Sequence, residues 1–425
     1  MFKPLIISKL TGFTKIFVNM RNRDNKPYKT LIINTLNKIS KFGKCRKDFF
    51  IEVIILLLSI KGRVNFLQLG RFGNFKEQRY RQQFEKPFPW LDFNKELTLS
   101  QGSGRFVIAF DPSYISKSGK KTPGVSWYWS GCAGQAKWGL EIGGLAAIDL
   151  DNHTAFHLEA VQTLIEDKQA ITLTDWYVHV IQERKETLCS ISRYLVADAW
   201  FSKKPFVDQV NAIRMHLISR LRDDADLRYL YQGPRTGKKG RPCKYAGKID
   251  IANIDTNYFV LVEQNPEATV YSAIVYSKSL KINIRLVHVT YTNDKGKITR
   301  KLYFCTDTQM DALEILDCYQ SRFQIEFLYR DGKQHTGLTD SQARSQNKLN
   351  FHFNAALTAI NIAKVEHWLS VPKEVRKQFS MADIKTMNHN RLLLERFIDV
   401  FGVNAYSAKN RNLVNELIYY GTIAA

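Results

Sequence analysis

The sequence predicts an α/β protein: a mixed sheet flanked by helices, with an antiparallel β segment set into it and a basic helical stretch ahead of it. Three observations carry that expectation. Phe106–Phe110 and Tyr194–Ala197 are continuous apolar runs, read as short strands buried on both faces. Helical periodicity separates and follows them. Residues 257–306 alternate β-branched and aromatic side chains with polar ones, the two-residue period of antiparallel strands.

In chain order, the first hundred residues read as helical. Lys29–Ser40 and Lys47–Ile60 repeat apolar residues at steps of three and four. Val53–Ile60 is far shorter than the ~20 residues of a membrane span and reads as a core helix. Lys3, Lys9 and Lys15 interrupt the first apolar stretch, so no signal-peptide core is expected. Gly102-Ser103-Gly104 marks a boundary near residue 100. A buried strand then ends in Asp111-Pro112. Strands follow at Leu140–Asp149 and Ala155–Val161, a helix at Ile171–Ile191, and a strand that ends in Asp198. A helix at Lys204–Ala212 and a strand at His216–Ser219 close the run. Thr269–Val275 and Asn283–Tyr291 are the clearest strands of the β segment, with a turn at Asp294-Lys295-Gly296. Helical periodicity resumes at Met310 and runs toward Gly332. Further helices are expected over Asn350–Leu369 and beyond.

Composition narrows the function. In 425 residues, 44% hydrophobic and 24% charged content excludes a disordered chain. Lys and Arg number 62 against 40 Asp and Glu, a net charge of +22 that calls for a polyanionic partner. Residues 1–100 hold 20 basic and 7 acidic residues, or +13 of that total. Six scattered cysteines without a C-x-x-C pair argue against a zinc ribbon or a disulfide framework and for a reducing, cytoplasmic setting.

Candidate chemistry starts with Asp111 and Asp198, each at the end of a short buried strand, where α/β sheets place functional groups. Either alone reads equally well as a turn or cap residue. A third acid, Glu326, lies on the helix from Met310. Tyr319, Arg322, Glu326 and Lys333 are spaced at helical steps of 3, 4 and 7 and would share one stripe, beside an apolar stripe of Leu316, Phe323 and Phe327. By spacing alone, Arg322 and Glu326 read first as a surface ion pair. His335 is a modest candidate for a DNA contact. Gly233–Gly240 lacks P-loop spacing. Gly240-Arg241-Pro242 reads first as a solvated basic loop, second as the core of a minor-groove hook. Trp127, Trp129 and Trp138 read as core or loop packing.

Together, Tyr319, Arg322, Glu326 and Lys333 resemble the Y-R-E-K signature of bacterial insertion-sequence transposases of the DDE type, insertion-sequence family four. Phe106–Asp111 is similar to that family's first catalytic strand and Leu195–Ser202 to its second acidic motif. The resemblance spans about residues 100–370. It implies an RNase H-like core, a divalent-metal site on Asp111, Asp198 and Glu326, and cut-and-paste movement of an insertion element. Physical chemistry agrees: three converging carboxylates repel by about 4 kcal/mol per pair at ~4 Å and an effective dielectric of ~20, and hard cations relieve that repulsion. Two Mg²⁺ ions, with Mn²⁺ as a substitute, would activate the attacking oxygen and stabilise the leaving one. Arg322 and Lys333 would hold phosphates, and Tyr319 a phosphate or a base.

The domains expected are a helical, basic DNA-binding domain at 1–100 and a catalytic core in two parts, 101–221 and 308–370. An inserted β subdomain at 222–307 and a C-terminal helical segment at 371–425 complete the chain. Its partners would be double-stranded DNA at element ends and target, and a second copy in a synaptic complex in the nucleoid, with no membrane. The rivals are a metal nuclease of the same fold without strand transfer, and a DNA-binding protein that has lost catalysis.

Overall fold

The computed structural model describes residues 27–39, 42–165, 171–234, 242–292, 296–376, 378–404 and 407–423. The first 26 residues, most of the Gly233–Pro242 loop, and Asp294 and Lys295 of the expected turn lie outside the described residues. The chain divides into two compact units. One gathers Met1–Gln101, Ile115–Val125 and Phe327–Ala425; the other gathers Gly102–Tyr114 and Ser126–Glu326. Among the described residues no helix is long and apolar enough to cross a membrane.

The helical unit begins with α1 (Pro27–Ile39), α2 (Lys44–Ser59), α3 (Phe66–Phe72), α4 (Glu77–Phe84) and α5 (Trp90–Gln101). The apolar run expected to be a core helix is the second half of α2, where Val53, Ile54, Leu56, Leu57 and Leu58 are buried. Asn65 caps α3 by accepting the Gln68 N–H at 3.0 Å, which satisfies an otherwise orphaned donor.

The second unit is built on one sheet. In chain order its elements are β1 (Phe106–Ser116), β2 (Ser126–Ser130), β3 (Gln135–Asp149), β4 (Thr154–Gln162), α6 (Leu173–Gln182), α7 (Lys185–Cys189), β5 (Tyr194–Val196), α8 (Lys204–Ala212) and β6 (His216–Leu221). Then come β7 (Leu227–Leu230), β8 (Tyr245–Lys248), β9 (Val260–Gln264), β10 (Ala268–Ser277), β11 (Ile282–Thr292), β12 (Ile298–Cys305) and α9 (Ala312–Ser321). The strand order is β2-β3-β1-β5-β6-β12-β11-β10-β7-β8, with β4 on β3 and β9 on β10. β1, β5 and β6 pair in parallel, which requires the helical crossovers α6–α7 and α8. The later strands pair antiparallel, and β12 joins β6 with Leu302 opposite Leu221. The β-rich segment therefore continues the same sheet. β1 and β3 run antiparallel: the Leu150 N–H reaches the Arg105 carbonyl (3.1 Å) at one end, and the Tyr114 hydroxyl reaches the Trp138 carbonyl (2.8 Å) at the other.

Three expected boundaries differ. β1 does not stop at Asp111-Pro112 but continues to Ser116. β5 flanks it only as far as Ala109, so the missing N–H of Pro112 is tolerated. The helix expected over Ile171–Ile191 is two helices, broken at Arg184 (φ −113°, ψ 3°). The Arg184 guanidinium bonds Glu159 at 2.5 Å, an attachment to β4 that no local periodicity reveals.

The helix expected from Met310 to Gly332 is also two. α9 starts after Asp311, whose side chain accepts the Leu313 and Glu314 N–H groups. It ends at Ser321, and α10 (Gln324–His335) follows. Short i→i+3 bonds, from Ile325 N–H to the Arg322 carbonyl and from Glu326 N–H to that of Phe323, turn the chain at the junction. Gly332 lies inside α10. Its bare face meets Leu357 and Leu338, where a Cβ would come within 3.0 and 3.2 Å of their methyls. The stop is Gly337, at φ +74°, with the Leu338 N–H bonded to the Gly332 carbonyl at 3.0 Å.

The helical unit is completed by α11 (Gln346–Ser370), α12 (Met381–Phe401) and α13 (Ala408–Tyr419). α11 is buried along most of its length. It packs against the first helices through Phe351, whose ring centroid lies 4.3 Å from Phe84 and 5.0 Å from Trp90. Asn94 lies in that apolar interior with both ends of its amide satisfied, by Thr358 and Asn361 at 3.0 Å each.

Candidate active site

One register relates two acids. β1 and β5 pair with Ile108 opposite Leu195 and Ala109 opposite Val196, an offset of 195 − 108 = 87. Asp111 and Asp198 differ by the same 87. Each therefore stands two residues beyond the last paired position of its strand, Ala109 on β1 and Val196 on β5. Phe110, just before the first acid, is fully buried against Tyr177 and Phe201. Asp198 follows β5 and is fixed twice: its Oδ1 accepts the Trp200 N–H at 2.8 Å, and its carbonyl accepts the Ser219 hydroxyl at 2.8 Å.

The third acid arrives from the α9–α10 junction. Ile315 and Cys318 bury one side of α9, and Tyr319 lies against Tyr303 of β12 with ring centroids 4.9 Å apart. Arg322, at the end of α9, has only 16% of its side chain exposed. Its Nη2 bonds Glu326 Oε1 at 2.9 Å, and its guanidinium lies 5.9 Å from the Tyr319 ring centroid. Burial works against its charge. The carboxylates of Asp111 and Glu326 and the Tyr319 hydroxyl outweigh that and hold Arg322 above the usual arginine range. Burial raises the Tyr319 hydroxyl above its ordinary value; Arg322 opposes that, and the charge of Asp198 adds to it. Asp111, Asp198, Tyr319, Arg322 and Glu326 thus share one electrostatic neighbourhood, to which Arg220 adds a second cation beside Tyr319.

The neighbourhood is not a ready-made metal cage. Among the described residues, no group of three His, Cys, Asp or Glu side chains is arranged to hold a metal ion. Glu326 engages Arg322, and one Asp198 oxygen engages backbone. Lys333 and His335 lie further along α10, in the helical unit, both partly exposed. The expected apolar stripe divides. Leu316 is buried, but Phe323 and Phe327 are 43% and 40% exposed, because the junction at Arg322–Phe323 breaks the helical phase.

Several residues escaped the sequence reading. Trp200 is 42% exposed, with the Lys203 ammonium 3.5 Å from its ring centroid; its place two residues after Asp198 was the available signal. Buried Glu141 accepts hydrogen bonds from Tyr177 (2.7 Å) and Thr163 (2.9 Å), and burial raises its carboxyl above the usual range. No sequence pattern marks it. Trp127, Trp129 and Trp138 do not pack in the core: they are 64%, 65% and 37% exposed. The period of two in Ser-Trp-Tyr-Trp-Ser was legible, but which of its faces is wet was not.

A mixed sheet flanked by helices places the chain in the α/β class. The match to known families is specific: the family described as Transposase DDE domain covers residues 146–362, just over half of the chain. The chain belongs to that family. Asp198 and Glu326 fall inside the matched span, and Asp111 precedes it. Among curated proteins, none matches the chain.

Proposed function

We propose that the protein is a cut-and-paste transposase with an RNase H-like core, which nicks DNA at the ends of its element and joins the freed 3′-hydroxyl to target DNA. The observation that carries this is the shared offset of 87 between the β1–β5 register and the Asp111–Asp198 pair, within a chain that belongs to a transposase family. Asp111, Asp198 and Glu326 are the residues that would hold divalent metal, two Mg²⁺ ions or Mn²⁺ in their place. Three carboxylates are a hard-oxygen donor set that fits such ions, once Glu326 turns from Arg322. When bound, the ions supply activation of the attacking oxygen and stabilisation of the leaving one.

The chain's own groups do the rest. Arg322, mostly buried and facing two acids, is placed to take a phosphate oxygen in a charge-assisted bond. Tyr319 stiffens that arginine from below, and Lys333 would hold a second phosphate. Residues 1–100 would supply much of the grip on element ends, and two copies would act in one synaptic complex.

The deciding experiment uses Asp198→Asn. It should bind end-sequence DNA as the wild type does, because binding rests on lysine and arginine. It should nick at least ~10³-fold more slowly, on the order of 4 kcal/mol of transition-state stabilisation. Wild-type nicking should need Mg²⁺ or Mn²⁺, with Ca²⁺ supporting binding but little cleavage. Strand transfer from a pre-cleaved end separates a transposase from a nuclease of the same fold. Wild-type-like nicking by Asp198→Asn would end the assignment of this site.

A further inference from the structure

We propose that the β2–β3 hairpin is a stacking platform for unpaired DNA bases. Trp127 and Trp129 are 64% and 65% exposed, and Trp138 is 37% exposed. Alternation along β2 puts the first two on one face. The register sets Trp127 opposite Trp138, and their rings meet edge to face with centroids 6.0 Å apart. Three indoles therefore share one wet face. The hairpin beneath them is anchored: Tyr128, on the other face, is buried. An ordered strand that keeps three indoles in water presents a binding surface, because indole gains more than most side chains by leaving water.

Charge and position select the occupant. Between Ser126 and Gly139 the single charged residue is Lys137, a cation, so the surface suits a polyanion that offers ring faces. The Tyr114 hydroxyl donates to the Trp138 carbonyl at 2.8 Å, and Tyr114 lies three residues beyond Asp111 on β1. At ~3.3 Å per residue the platform begins about 10 Å along the strand from that acid. At ~3.4 Å per stacked nucleotide this is about three nucleotides. A duplex hides its base faces in its own stack, so the indoles select unpaired bases, with little regard to sequence. The position, though not the stacking, rests on the reading of Asp111 as an active-site acid.

The test uses the full chain, a thymidine oligonucleotide of about 15 residues, near the upper end of single-fold site sizes, and a blunt duplex of equal length. Trp127→Ala/Trp129→Ala should bind the oligonucleotide at least ~tenfold more weakly, within the range of lost base–aromatic stacking, and the duplex within about twofold of wild type. Trp127→Phe/Trp129→Phe should recover most of the oligonucleotide affinity, and unchanged thermal melting shows that both variants are folded. If wild-type protein binds and nicks duplex while the alanine variant binds the oligonucleotide normally, or loses both ligands alike, the platform is overturned and the transposase reading stands. If wild-type protein binds neither, both fall. If the alanine variant only turns a dimer into a monomer by sedimentation, with DNA binding intact, the face joins two copies and the proposal is wrong.

Discussion

Arg322 is the cation that balances Asp111 and Glu326. Replacing it with alanine removes the cation that both carboxylates act on and, in the proposed function, a phosphate anchor. Arg322→Ala should therefore slow single-turnover nicking by about ten- to a hundredfold, roughly 1.5–3 kcal/mol for a charged hydrogen bond, and shift the DNA dissociation constant by only a few fold. Near-normal nicking would reduce the Arg322–Glu326 pair to a surface feature. A second residue is informative for stability. Burial lowers the Lys385 ammonium to about 7, with Asp340 opposing, and its Nζ donates to the Leu57 carbonyl at 2.7 Å. In the unfolded chain this amine keeps its ordinary value near 10.4. Between those two values the unfolded state binds more protons, so the contribution of Lys385 to stability rises with pH across that window and is smallest below 7. Lys385→Met should therefore melt above wild type at pH 7, with a gap that narrows as pH climbs toward 10. A gap that stays constant would show that the amine is charged in the fold.

At the scale of the element, the end of α10 is fixed by one residue. Gly337 takes φ +74°, and a Cβ there would come within 2.7 Å of the Val64 Cβ. Gly337→Ala combines left-handed strain with overpacking and should lower stability by about 1–3 kcal/mol in denaturant titrations. A loss below half a kcal/mol would mean the loop relaxes freely. Sequence reasoning put this stop five residues early, at Gly332, because a glycine in a helical pattern looks the same whether it ends a helix or makes room for Leu357. Elements whose signal is local were legible: α8 spans the expected Lys204–Ala212, and the continuous apolar run of β1 and the Leu140–Asp149 stretch of β3 are strands. Of the site, Asp198 was legible as the residue that follows a short buried strand, whereas Asp111 lies inside β1, which runs on to Ser116. The α9–α10 break was not, since Tyr319, Arg322 and Glu326 keep helical spacing across it. Nor were the exposed tryptophans, because burial is set by what packs across a sheet, which no single strand encodes.

At the scale of the molecule, residues 1–100 carry +13, and the helices described among them share a core with α11. Deleting those residues would strip α11 bare, so their role in DNA binding is better tested by charge than by truncation. Arg71, Lys76 and Arg79 are exposed. Changing all three to glutamine should make the dependence of log affinity on log salt shallower by up to about 2.7, at ~0.9 for each phosphate no longer neutralised. An unchanged slope would place the DNA elsewhere. The same chain layout matters before any DNA is met. The helical unit is written in separate stretches of the message, and the first residue of α11 comes 346 − 101 = 245 positions after the last of α5. At about 5–20 residues per second, that is a wait of roughly 12–49 s on the ribosome. Phe84 and Trp90 spend it without the helix that covers them, which leaves two large apolar rings open to wrong partners until the last fifth of the chain is made.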